Sequence, residues 1–416
     1  MFAASALANQ VCRPLSIKAS PEEVFARLGH LAHPVFLDTA GHVPKAAGEV
    51  YSLLAGEPAM VRCGNLFDDW RGLDEAVRGT RELAGCRAPG PGWFGSVDYE
   101  GDYWFGHYPS VLIYHHGTGE WFEAGDEKLG ARLRDGESQP LPSVGEWSSS
   151  VTRPQFEAMV ARAQEYIAAG DIYQVNLSQR FSAPVAAGSL QDLYLKLRRT
   201  SPAPMAAYLD TGRRQILSSS PELFLKMNGE EIETRPIKGT RPRFADAAAD
   251  IRSSHELRTS EKEMAELIMI TDLLRNDLGK LAQVGSVRVE ALAQLESLAQ
   301  VHHLVSTVKA DLRPEVEHVE ALASCSPGGS ITGAPKKRAR EIIEELEPVP
   351  RGLYTGSIGY FSDYGQSQFN IAIRTLVQEE GMLHYHVGAG IVADSRPAAE
   401  YEETLHKARG MRLALA

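Results

Sequence analysis

The order of two hydrophobic periods along residues 154–397 limits the possible folds more than any other feature. Phe156, Met159, Val160, Ala163, Tyr166 and Ile167 recur at helical spacing, and Gly170 ends the run. IYQVNLSQRF (172–181) then alternates, with Tyr173, Val175 and Leu177 on one face and Gln174, Asn176 and Ser178 on the other. That polar face either meets solvent or lines a polar cavity. Further strands are predicted at 205–209, 214–218, 222–227 and 231–238, and a long helix from about Ser260 to Gly279. A helix from Pro335 to Leu346 precedes strands at 353–362, 368–378 and 382–393, and a last helix starts at Pro397. Strands come in clusters, with Glu380-Gly381 as a hairpin turn, and do not alternate strictly with helices. The expected class is α+β, with antiparallel sheets and outer helices.

Residues 1–150 hold short alternating runs such as SVLIYHH (110–116) among Gly, Pro and aromatic residues, and read as strands and loops. The polar, turn-rich stretch 136–154 is the candidate linker between regions 1–150 and 151–416. With 416 residues and 43% apolar composition, the chain can bury a core unaided. Its net charge of −11 argues against nucleic acid or an anionic membrane as the main partner. Cys12, Cys63, Cys86 and Cys325 match neither a zinc site nor a disulfide framework, so a reducing cytoplasm is expected. The first residues lack the basic start of a signal peptide, and no stretch is long and apolar enough to span a bilayer.

An anion site on such a chain has to be a local basic patch. IETRPIKGTRPRF (232–244) sets Arg235, Arg241 and Arg243 around Lys238. Glu263 and Glu266 are three apart on one predicted helix, as are Glu400 and Glu403 on another, so each pair shares a face. Carboxylates alone suit a hard cation such as Mg2+. Equally, Ser260-x-x-Glu263 is a capping box, and Glu400 suits the first turn of its helix. SPGGSITGAPKK (326–337) places Pro335 in a helix's first turn and offers backbone N–H groups to an anion, or is a plain glycine turn. It is no P-loop, because Ala334 stands where the lysine belongs. HVGAGIVADS (386–395) permits close backbone approach or a bulge. Arg374, among apolar neighbours, calls for an anion or a carboxylate partner. His303, Glu222 and Lys407 each have ordinary explanations when taken singly.

Taken together, GDIYQVNLSQRF, SSSPELFL, TRPIKGTRPR, EKEMAELIMITDLLRNDLGK, VHHLVS, SPGGSITGAPKKRAREII, RGLYTGSIGYF, FNIAIRT and HVGAGIVADSRPAAEYEETLHKA resemble the chorismate-utilising enzymes over residues 154–410. That family includes the anthranilate, aminodeoxychorismate, isochorismate and salicylate synthases. The resemblance implies a sandwich of two antiparallel sheets flanked by helices, with a Mg2+-dependent site between them. It implies metal carboxylates at Glu266 and Glu403, with Glu263 and Glu400 beside them. Tyr354, Arg374, Lys407 and the backbone of Gly388, Ala389 and Gly390 would hold the substrate carboxylates. Thr240, Thr332 and Gly333 would line the cavity, and His303 matches the family's site histidine.

Gln174 stands where the isochorismate and salicylate synthases carry a lysine base, which argues against adding water. Pro-Ile-Lys-Gly-Thr, in place of the Pro-Ile-Ala-Gly-Thr usual in anthranilate synthases, resembles the aminodeoxychorismate branch. The resemblance implies Glu222 as the general acid that protonates the C4 hydroxyl, and Lys238 as a nucleophile at ring carbon 2 that ammonia later displaces. The three arginines and a magnesium ion are expected to disfavour the charged lysine. No glutaminase signature is present, so ammonia is expected from solution or from a separate glutamine amidotransferase subunit. The chain ends soon after Lys407, so 4-amino-4-deoxychorismate is the expected product, not 4-aminobenzoate. FLDTAGH (36–42) lacks the Leu-Leu-Glu-Ser of tryptophan-inhibited relatives, so neither feedback by tryptophan nor its retention is expected. Leu267 replaces a histidine common in relatives. The rivals are anthranilate synthase component I and a non-catalytic chorismate-binding regulatory subunit.

Overall fold

In the computed structural model, which describes residues 12–40, 50–81, 88–125, 129–135, 138–298 and 300–415, the clustered strands build two antiparallel sheets. The first sheet runs, in spatial order, Cys12–Leu15, Glu120–Gly125, Ser110–His115, Tyr51–Ala55, Val35–Asp38, Met205–Asp210, Arg214–Ser220, Thr375–Glu379, Met382–Ile391, Gln174–Pro184 and Gly333–Ala334. The second runs Ile237–Pro242, Val301–Asp311, Glu231–Arg235, Leu223–Asn228, Gln366–Asn370, Ser357–Ser362, Gly92–Val97, Asp102–Tyr108 and Met60–Asn65. Arg288–Ser297 pairs off this path with Val301–Asp311.

Alternation decides what each face buries. Val35, Leu53, Val111, Ile113, Phe122 and Leu209 of the first sheet meet Phe94, Trp104, Ile358 and Tyr360 of the second in a core between the sheets. Outside the first sheet, helices Pro21–Leu28, Leu190–Thr200 and Pro397–Leu415 pack on Phe36, Leu217 and Tyr385. Helices Arg153–Ala168 and Lys336–Leu346 cover Val175, Leu177 and Ile391. Outside the second sheet, helices Trp70–Thr80 and His318–Cys325 and the end of Glu261–Gly279 cover Phe105, Leu225 and Phe369. The α+β sandwich with outer helices stands as expected.

Both sheets draw strands from either side of residue 150. Val35–Asp38 pairs with Met205–Asp210, and Gly92–Val97 pairs with Ser357–Ser362. The turn-rich stretch before residue 154 lies against the first sheet through Ser148–Ser149, paired with Phe181 and Ser182. Cys12 and Cys325 are buried and Cys63 is exposed; Cys63 and Cys325 are free thiols. Cys86 lies outside the described residues, as do positions 41 and 42 of FLDTAGH. Among the described residues, no helix is long and apolar enough to cross a membrane.

Candidate active site

The site starts from a broken strand. Pro236 has no N–H to donate, so the run predicted as 231–238 becomes Glu231–Arg235 and Ile237–Pro242, both paired with Val301–Asp311. At Gly239 φ is +70°, and a Cβ there would lie 2.5 Å from Leu257 Cδ1 and 3.2 Å from Glu263 Oε2. Glycine thus lets the strand pass directly beneath Leu257 and the helix that carries Glu263. Lys238 Nζ sits 3.4 Å from Glu266 Oε2.

The three arginines do not crowd this lysine, contrary to the sequence reading. Arg235 pairs with Glu296, Arg241 with Glu263 at 3.5 Å, and Arg243 with Asp250 at 2.9 Å. Each guanidinium is neutralised by its own carboxylate.

Glu222 precedes Leu223–Asn228 and is 5% exposed. Its carbonyl accepts from Ile371 N–H at 3.1 Å, and Ser330 Oγ donates to its Oε1 at 2.7 Å. Burial pushes its carboxyl up to about 7, against the Ser330 hydrogen bond, the Lys238 charge and the Ile237 N–H. It is therefore a side chain that holds a proton near neutral pH and can give it away.

His303 lies opposite Thr240 across the strand pair. Its Nδ1 is 3.1 Å from both Gly239 O and Thr240 Oγ1, and its buried Nε2 has no partner. Burial pushes the imidazole down to about 4, against the pull of the Gly239 carbonyl, and the Arg374 charge pushes the same way. A neutral ring with its proton on Nδ1 presents Nε2 to the site as an acceptor. Arg374 has φ +50°, and burial alone pushes its guanidinium below the usual arginine range. No carboxylate within salt-bridge reach is found for it among the described residues, so it is a half-buried cation open to an anionic ligand.

The four glutamates stand as two pairs on separate helices, as their spacing predicts. Ser260 caps its helix by accepting from Glu263 N–H at 3.4 Å, while the Glu263 carboxylate turns to Arg241 and leaves the capping box half formed. On the last helix, burial pushes Glu400 up, and the neighbouring Glu403 charge adds to it. Burial also pushes Glu403 up, but Lys407, aided by Lys238 and Lys262, holds it below its usual range. Lys238 thus acts on both Glu266 and Glu403, which places the two helices at one opening. Oxygen-only donors suit a hard divalent cation. Among the described residues, no three carboxylate, imidazole or thiol groups already converge on one point. Leu267 is fully buried with Leu257 and Leu304, so it joins the helix of Glu263 and Glu266 to the strand below.

The glycines keep one face of the first sheet bare. A Cβ on Gly388 would lie 2.6 Å from Asn176 Oδ1 and 2.7 Å from the Tyr354 hydroxyl. On Gly390 it would lie 2.5 Å from Gln174 Nε2 and 3.6 Å from Lys238 Nζ. Ala389 between them points the other way, into the core under the helices. Gln174, Asn176 and Ser178 all carry buried polar atoms without partners, so their face lines a polar interior and not solvent. Tyr354 stacks on His386 at 5.1 Å. Lys407 Nζ donates to Gly388 O at 2.8 Å and pairs with Glu403 at 2.7 Å.

Thr332 and Gly333 line a small recess with Gln174, Asn176 and Ser330, and both also brace the scaffold. Thr332 donates to Gly328 O at 3.1 Å, and a Cβ on Gly333 would lie 2.2 Å from Gln174 O. Pro335 is the residue before its helix, not in the first turn. Sequence reasoning did not single out Ser330, although it lies within SPGGSITGAPKK. It also missed Arg351, fully buried, which donates to Ile331 O, Asn176 O and both oxygens of Glu347. A cavity of about 920 Å³ lies to one side, lined by Asp38, Met205, Glu233, Lys309 and Asn370. It meets this cluster at His303, Arg235 and Glu296 and at the chain neighbours of Lys238 and Glu222, while Lys238, Glu222 and the four glutamates lie outside its lining.

Residues 75–412 match the family described as chorismate binding enzyme. Anthranilate synthase component 1 of Streptomyces coelicolor is 49% identical over 65% of this chain and 53% of its own length. Aminodeoxychorismate synthase component 1 of Escherichia coli is 47% identical over 64% of this chain and 58% of its own. The chain thus spans little more than half the length of these relatives. The crystal structure of anthranilate synthase component I from Streptococcus pneumoniae superposes with a TM-score of 0.76 at 29% identity, over 89% of this chain and 94% of that one. The Escherichia coli menaquinone-specific isochorismate synthase reaches 0.79 at 18% identity over 99% and 98%, a likeness of fold. With the match running through both sheets and every cluster described above, the chain belongs to the chorismate-binding enzyme family.

Proposed function

We propose that the protein aminates chorismate at C4 to give 4-amino-4-deoxychorismate, the step toward 4-aminobenzoate and folate, using ammonia delivered by a separate glutamine amidotransferase. The observation that carries this reading is a buried, proton-holding Glu222 that feels the charge of the Lys238 amine. Hydroxide leaves poorly, so the C4 oxygen needs the Glu222 proton and departs as water. Lys238 Nζ forms a bond to C2 as the C4–O bond breaks, and loses a proton. Ammonia then bonds to C4 while the C2–N bond breaks, returning the lysine. Arg374 binds one substrate carboxylate, His303 Nε2 accepts from a substrate hydroxyl, and Tyr354 stays a neutral donor because burial raises its hydroxyl. Glu263, Glu266, Glu400 and Glu403 would hold Mg2+, which when bound offsets a substrate carboxylate's charge. The free thiols of Cys63 and Cys325 suit a reducing cytoplasm.

The test is incubation with chorismate, ammonia and Mg2+, following product mass and fluorescence with and without an added aminodeoxychorismate lyase. An aminated product that retains the enolpyruvyl group supports the reading. Pyruvate with an ortho-amino acid would transfer the assignment to anthranilate synthase, whose relatives match this chain equally well. No turnover under any condition would leave a binding subunit.

A further inference from the structure

Glu222 has two carboxyl oxygens, and only a proton on the correct one reaches the substrate. We infer that Ser330 is a positioning residue for this proton: by donating to Oε1, it keeps Oε2 as the oxygen that protonates the departing C4 hydroxyl. The inference rests on the proposed role of Glu222.

Ser330 belongs to the short turn Gly329–Ile331, and both it and Glu222 are buried. At 2.7 Å the hydroxyl donates to Oε1, so that oxygen acts as an acceptor and the acid proton resides on its partner. Ser330 can do this because its turn is fastened from every side. Arg351 donates to Ile331 O at 3.1 Å, and Thr332 Oγ1 donates to Gly328 O at 3.1 Å. Asn176 N–H donates to Thr332 O at 2.8 Å, and Lys336 Nζ donates to Cys325 O at 3.1 Å. On the other side, Glu222 O is held by Ile371 N–H at 3.1 Å, and a Cβ on Gly328 would lie 2.8 Å from Ile371 Cδ1. The glycine therefore lets the Ser330 turn reach the segment that anchors the acid. Lys238 is the charged group that faces Glu222, while Asp277 beneath the turn is paired with Lys336 and Lys280.

In the step itself the Oε2–H bond breaks, the proton joins the C4 oxygen, and water leaves. The carboxylate that forms is stabilised by the Ser330 hydroxyl already aimed at it. Ser330→Ala removes that donor while leaving the acid in place. The experiment follows chorismate consumption, whatever the product, at saturating ammonia from pH 5 to 9. The expected result is a kcat lower by roughly ten- to a hundredfold with KM little changed. The basic limb of kcat/KM should move to higher pH, because a carboxylate that has lost a donor holds its proton more tightly. Ser330→Cys, of equal shape and weaker donation, should fall between, and carries the same test if the alanine variant does not fold. Wild-type kcat, or a lowered kcat with an unmoved basic limb, overturns the inference. Glu222→Gln separates the two readings. Undiminished consumption in that variant removes the acid role itself, whereas an inactive Glu222→Gln beside an unaltered Ser330→Ala removes only the positioning role.

Discussion

Replacing Glu222 with glutamine should move activity and stability in opposite directions. The carboxyl is raised from 4.5 to about 7, with burial as the leading cause. Between these values the unfolded chain loses its proton while the folded protein keeps it, so stability falls as pH rises through this window. The shift corresponds to roughly 3 kcal/mol, lost progressively from about pH 4.5 to 7 and constant above that. Glutamine keeps the acceptor for Ser330 and has no proton to lose, so this pH dependence disappears. Urea unfolding at pH 5 and pH 8 should show the variant gaining up to roughly 3 kcal/mol on the wild type between the two. Turnover should fall by roughly a hundred- to ten-thousandfold, the usual worth of a general acid. In the wild type, kcat/KM should decline above a pH of about 7 as Glu222 ionises. A glutamine variant whose stability still varies with pH like the wild type, or which turns over normally, refutes the reasoning.

Lys238→Ala should abolish amination at C4, and intact-protein mass spectrometry of the wild type during turnover should detect a chorismate-derived adduct that this variant lacks. Arg374→Gln should raise KM for chorismate by roughly ten- to a hundredfold through a lost charge-assisted hydrogen bond, with melting temperature unchanged or higher because no carboxylate is orphaned. Chelation should stop turnover, and Glu266→Gln or Glu403→Gln should raise the Mg2+ concentration needed to restore it. Arg351→Ala should destabilise by roughly 3–5 kcal/mol in urea unfolding, since it strands Glu347 as an unpaired buried carboxylate.

Elements with a clear apolar period were readable to within a few residues. The helix predicted from Phe156 is Arg153–Ala168, closed by Gly170 at φ +82°, and Glu380-Gly381 turns the hairpin between Glu379 and Met382. What escaped had no such period. Helix Ala247–Arg258 buries only Ser253 and Leu257, and strand Arg288–Ser297 is largely exposed, so neither imprints a pattern. The stretch 368–378 is two strands, Gln366–Asn370 and Thr375–Glu379, one in each sheet. That crossing is a long-range choice invisible to a local window. The site was readable as residue types at fixed spacing, while the pairing of Gly333–Ala334 with Gln174–Val175 and the reach of Ser330 to Glu222 depend on contacts a hundred or more residues apart.

The arginines of IETRPIKGTRPRF show how spacing misleads. A register shift between Lys238 and Thr240 breaks the strand's alternation, so spacing along the sequence does not tell which way each cation points. The charge of Arg241 and Arg243 is absorbed by Glu263 and Asp250, and Lys238 and Lys407 lie against Glu266 and Glu403. A dianionic ring approaching four glutamates meets repulsion that Arg374 offsets for one carboxylate only. The second carboxylate needs positive charge not already held by a glutamate. A divalent cation held by the two glutamate pairs would supply it and would free Lys238 from Glu266, so the charge arrangement argues that metal and substrate bind together. If so, chorismate should tighten Mg2+ binding and Mg2+ should tighten chorismate binding by the same factor. Calorimetric titration of each in the presence and absence of the other measures both, and independent affinities would show that the glutamates serve another purpose.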